Sequence, residues 1–114
     1  MDVTIDIDED FDEWKKNKLV AMRNRIVNKV LNVWKAQLRR SSGGHVHIKL
    51  KLNYDISLFQ SLCLRAFLDD DPHRLACDLE RFYRTKRIDE TGRCFDEKYT
   101  KGKTRYAGKW ERFI

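Results

Sequence analysis

Two short stretches hold the residue types that handle metal and phosphate: Val3-Thr4-Ile5-Asp6-Ile7-Asp8 and Ser41-Ser42-Gly43-Gly44-His45-Val46-His47-Ile48-Lys49-Leu50. Side chains of an extended strand alternate between faces. Asp6 and Asp8 therefore share one face of the first stretch, and Val3, Ile5 and Ile7 the other. In the second, His45 and His47 share a face, backed by Val46, Ile48, Leu50 and Leu52. If both apolar sides are buried in one sheet, carboxylates and imidazoles emerge on a common surface. Carboxylate oxygens suit a hard cation such as Mg2+ or Mn2+, and imidazole can join the ion or contact a phosphate. The expected site is one for metal-assisted phosphate chemistry.

A chain of 114 residues, 41% of them hydrophobic, can build one core and is too short for two. Its 37% charged content is high for a globular protein. No apolar run approaches the length of a membrane span, and the N-terminus is acidic rather than basic. The expectation is a cytoplasmic, intracellular protein with no membrane partner. The 3 cysteines show no C-x-x-C spacing. Cys63 and Cys77 sit among apolar neighbours, which reads as reduced, buried or semi-buried thiols rather than a zinc site.

The net charge of +6 is unevenly spread. Acids dominate the N-terminus, while the C-terminal part interleaves lysine and arginine with Tyr99, Tyr106, Trp110 and Phe113. That mixture suits a phosphate backbone and stacked bases. Arg93, Lys98, Lys101, Lys103, Arg105 and Lys109 are the expected contacts to DNA or RNA, with Tyr99, Tyr106 and Trp110 available for stacking. The plainer alternative is an ion-paired, solvated surface.

Residues 2–8 alternate as a strand. Residues 11–40 read as one long helix, with Phe11, Trp14, Leu19, Met22, Ile26, Val30, Val33 or Trp34, and Leu38 along one stripe. The Ser/Gly turn ends it, and 45–52 form a second strand. A helix over 56–68, capped by Asp55 or Asn53, would bury Ile56, Phe59, Leu62 or Cys63, and Phe67. Asp69-Asp70-Asp71 reads as a solvated turn before Pro72, and 74–83 as a strand in preference to a helix. Trp14 and Trp34 are expected in the core. The chain is then one domain, with a core over 1–82 and a basic aromatic tail or hairpin over 83–114. Its expected class is an α+β two-layer sandwich, a small ferredoxin- or RRM-like antiparallel or mixed sheet with two helices on one face.

These motifs resemble the archaeo-eukaryotic primase superfamily, with its primase-polymerases and ligase-linked repair polymerases. Val3-Thr4-Ile5-Asp6-Ile7-Asp8 is similar to that family's hhhDhD strand. Ser42-Gly43-Gly44-His45-Val46-His47-Ile48 is similar to its Ser/Gly turn leading into a histidine strand, and Cys77-Asp78 to its later hD pair. The resemblance covers about residues 3–80. It implies a minimal palm core for nucleotides in DNA replication or repair, with Asp6, Asp8 and Asp78 catalytic and holding Mg2+ or Mn2+. Ser42, His45 and His47 would lie near phosphates.

His45-Val46-His47 also resembles the HUH signature of rolling-circle replication nucleases, which attack DNA with a downstream tyrosine. Tyr99-Thr100-Lys101-Gly102-Lys103 is similar to their Y-x-x-x-K pattern, and Tyr83 is a second candidate. The non-enzymatic alternative is a nucleic-acid-binding protein of viral or plasmid origin, acting inside a virus-infected or plasmid-bearing cell.

Overall fold

The apolar alternation of the first segment becomes β1 (Asp2–Ile7) of a computed structural model that describes residues 1–85 and 107–114. It is followed by α1 (Phe11–Lys29), β2 (Val33–Arg40), β3 (Val46–Leu52), α2 (Leu58–Phe67), α3 (Pro72–Thr85) and the short β4 (Glu111–Arg112). The sheet order is β1-β3-β2-β4, and every neighbouring pair is antiparallel. Because β3 lies between β1 and β2, the first half is a split β-α-β unit.

Ile5 faces Ile48, and Ile48 faces Leu38 on the next strand. These residues, with Val3, Ile7, Ala36, Val46 and Leu50, form the buried side of the sheet. Phe11, Trp14, Met22 and Ile26 of α1 cover it, joined by Leu68 just after α2. The architecture is the expected α+β two-layer sandwich, with three helices rather than two. No helix among the described residues is long and apolar enough to cross a membrane.

The predicted helix over 11–40 is two elements. Asp10 caps α1 by accepting the Glu13 N–H at 3.1 Å, and the helix stops at Lys29. Asn32 then takes a left-handed φ of 59° and reverses the chain into β2. Ala36 and Leu38 are buried there at a spacing of two. Trp34 lies in the irregular stretch between Val33 and Lys35 and is 50% exposed, so it is not a core residue. The Ser/Gly turn is consequently a hairpin rather than a helix stop. Gly44 adopts a φ of +85°, and the Ser41 N–H donates to the His45 carbonyl.

The expected strand over 74–83 is the helix α3, with Pro72 in its first turn. Pro72 there needs no backbone N–H, and Asp71 caps the turn by accepting the His73 N–H at 3.0 Å. The inward residues of α3 include Arg74 and Asp78, while Leu79 is exposed. Among the described side chains its inward contacts include charged residues, which apolar periodicity does not register.

On α2 the cap is Ser57, in a capping box with Gln60, rather than Asp55 or Asn53. The buried set is Leu58, Ser61 and Arg65, while Phe59 and Phe67 face outward. Cys63 and Cys77 are exposed thiols rather than buried ones. Asp70, expected in a solvated turn, is buried against Arg65 and Arg74.

The end of the expected tail belongs to the sheet. The Gly108 N–H donates to the Arg40 carbonyl at 2.7 Å, and the Phe113 N–H to that of Ala36 at 2.9 Å. Phe113 and Ile114 pack against the core. A chain ending at residue 106 is expected to lose about 2–3 kcal/mol, the worth of two partly buried apolar side chains. Urea unfolding of the truncated and full chains measures this, and an unchanged midpoint would show that β4 adds nothing.

Candidate functional site

The register of the sheet sets the site. Asp6 lies opposite His47 on β3, and His47 lies opposite Arg39 on β2. This row crosses the face turned away from α1. The next row joins Thr4, Lys49, Gln37 and Arg112, and a third joins Asp2, Lys51 and Lys35. Just beyond the end of β1, the Asp8 carboxylate is 3.2 Å from His45 Nδ1. The structure thus brings Asp6, Asp8, His45 and His47 together as two carboxylate–imidazole pairs.

The pairs differ in setting. Asp8 and His45 are exposed. His47 is fully buried, with Nε2 3.8 Å from Asp6 Oδ1. Burial, aided by the Arg39 and Arg74 guanidiniums and by His45, pushes its pKa down to about 3, so the ring is neutral near pH 7. Arg39 Nε–H donates to His47 Nδ1 at 3.2 Å. An arginine N–H can only donate. Nδ1 must therefore carry the lone pair, and the ring proton sits on Nε2, the nitrogen facing Asp6.

Asp6 is held through its backbone. Its N–H donates to Asp70 Oδ1 at 2.7 Å, and its carbonyl accepts the Asp71 N–H at 2.7 Å. Arg74 bonds both the carbonyl and the hydroxyl of Thr4. The α2–α3 turn thereby occupies the free edge of β1. Burial raises the Asp6 carboxyl above the usual range; Arg74 and His45 pull it down, while Asp70 and Asp71 push it up.

Asp78 is not part of this group. It lies on α3, buried, with Oδ2 2.7 Å from Arg65 Nη2, while Arg65 Nε donates to Asp70. Its place as a third metal-binding carboxylate is corrected on this geometry: a buried acid already facing a guanidinium has no open coordination position. Among the described residues no three His, Cys, Asp or Glu side chains gather as a metal-holding group.

Ser42 is half-buried in the β2–β3 turn, where the hydroxyl in use is that of Ser41, accepting the His45 N–H at 2.9 Å. Of the expected nucleic-acid contacts, Arg93, Lys98, Tyr99, Lys101, Lys103, Arg105 and Tyr106 lie outside the described residues. Lys109 is exposed. Trp110 lies beside Arg39 and Lys49, their cationic groups 4.3 and 4.4 Å from its ring centre.

Arg39, Lys49, Asp70 and Arg74 are the residues that sequence reasoning missed. The alternation Lys35-Gln37-Arg39 signals the first of them once 33–40 is read as a strand. No family model, curated protein or solved structure matches this chain. Its own side chains are therefore the ground for its function.

Proposed function

We propose that this protein handles nucleotide or nucleic-acid phosphates on the face bearing Asp6, Asp8, His45 and His47, as a small primase-like protein of replication or repair. The observation that carries this reading is the exposed Asp8–His45 pair, 3.2 Å apart, beside the Asp6–His47 row. An exposed imidazole ring N–H can donate to an anionic oxygen, whereas His47 is buried, with Nδ1 taken by Arg39 and Nε2 turned to Asp6. An HUH nuclease instead needs both imidazoles to give lone pairs to a metal.

The donor set suits Mg2+ or Mn2+ brought in with phosphate. Such ions are held by one or two carboxylates plus substrate oxygens and waters, and Asp6 and Asp8 supply that number. A bound ion would polarise the phosphate oxygens for in-line attack. His45 would donate to a phosphate oxygen, while Arg39 holds the buried His47 with its Nε2–H turned toward Asp6. Asp70 and Asp71 hold the backbone of Asp6 in place.

The test is calorimetric titration of a nucleoside triphosphate with and without Mn2+. Binding is expected to require the ion, and Asp8→Asn should weaken it at least about tenfold, the worth of one charge-assisted contact. Asp8 is exposed, and a thermal melt of the variant establishes that it is folded. Metal-independent or unchanged affinity would overturn the metal role. Incubation with single-stranded DNA tests the nuclease reading. A covalent adduct seen by intact mass, and lost in Tyr83→Phe or Tyr99→Phe, would replace the primase-like reading.

A further inference from the structure

The face that carries the carboxylate–imidazole pairs is electrically divided. Asp2 and Asp6 line β1, whereas Lys49 and Lys51 on β3, Lys35 and Arg39 on β2, and Arg112 on β4 make its other side basic. Asp2 pairs with Lys51 at 3.2 Å. Lys35 and Lys49 have no carboxylate partner among the described residues.

Trp110 is set into this basic half. Gln37 faces Arg112 and Leu38 faces Glu111, which brings Trp110 beside Arg39. The indole also reaches Lys49, two strands away from β4. It therefore lies across β2, with two cations from the sheet holding it. A ring fixed in this way is a preorganised platform, and every nucleobase has a face that can stack on it.

We infer that the β3–β2–β4 half of this face binds an unpaired nucleic-acid strand, with one base stacked on Trp110 and the backbone carried by Lys35 and Lys49. This deepens the phosphate-handling reading and rests on it for where the strand leads: the row from Trp110 through Arg39 ends at His47 and Asp6. A duplex is the poorer fit, because its bases are already stacked on each other and cannot reach the indole.

The experiment uses the full chain and a fluorescein-labelled oligothymidine of about 15 nucleotides, long enough for a site of this kind. Anisotropy is read in EDTA over a salt series. Without divalent ions the metal site cannot contribute, so failure here is distinct from failure of the nucleotide titration. Binding is expected to weaken steeply as salt rises. Trp110→Leu should weaken it at least about fivefold with the salt slope unchanged, and Trp110→Phe should recover most of the loss. Lys49→Gln should reduce the salt slope by about one. Thermal melts of each variant establish that it is folded. Three results would overturn the inference: no binding at low salt, equal affinity for a matched duplex, or a folded Trp110→Leu variant that binds like the parent.

Discussion

Replacing Arg65 with methionine is expected to cost about 3–5 kcal/mol of folding stability, the usual result of stripping the partner from a buried charge. The side chains of Arg65, Asp70 and Asp78 are 2%, 0% and 4% exposed. Arg65 Nε donates to Asp70 at 2.8 Å, and its Nη2 lies 2.7 Å from Asp78. One guanidinium thus ties α2 to both the α2–α3 turn and α3. Lysine cannot stand in for it, because a single ammonium lacks the fork that reaches two carboxylates. Removing the exposed Lys18–Glu9 pair should cost under about 1 kcal/mol. Urea unfolding of Arg65→Met, Arg65→Lys and Lys18→Ala measures the contrast. Equal effects from the buried and exposed pairs would sink the claim that this network locks the helices to β1.

The second large effect is on acid stability. His47 titrates at about 3 in the folded protein, against an ordinary 6.5. Between those values the unfolded chain holds the extra proton, so stability rises with pH across the window. Stability from this group is fully present above pH 6.5 and is lost as the pH falls toward 3. The limit is about 4–5 kcal/mol. Asp6 opposes part of this, since its raised pKa lets the folded state regain a proton as acid is added. His47→Gln has no such proton to gain and should flatten the acid limb. Urea midpoints from pH 7 to pH 4 for the two proteins decide it. Parallel pH profiles would show that His47 is not the group responsible.

Both predictions turn on residues that were unequally visible in the chain. The two motif strands were legible because each alternates strictly over six or more residues and needs no partner to be recognised. Helix α1 was legible along its length, where Phe11, Trp14, Met22 and Ile26 mark a helical stripe. Its end was not, since Val33, Trp34 and Leu38 fit helical spacing as well as a strand. Asn32, at a left-handed φ, ends the ambiguity only when β3 is there to pair with residues 33–40. Helix α3 was missed for a different reason. Among its described side chains Asp78 is buried and Arg74 half-buried, and hydrophobic periodicity carries no information about such charged contacts.

Local pattern alone determined that Asp6 with Asp8, and His45 with His47, lie on one side of their strands, because period-two alternation is a property of the backbone. It also determined the α+β class, from strand and helix patterns in succession. Tertiary structure decided the rest. Pairing register set Asp6 against His47 and His47 against Arg39, and burial then removed the charge from the imidazole. Packing of α2 on α3 placed Asp78 against Arg65 instead of in the site. Docking of the C-terminal strand on β2 carried Trp110 across the sheet to Lys49. Each of these joins residues of different elements, and such distances are fixed only when those elements have packed together.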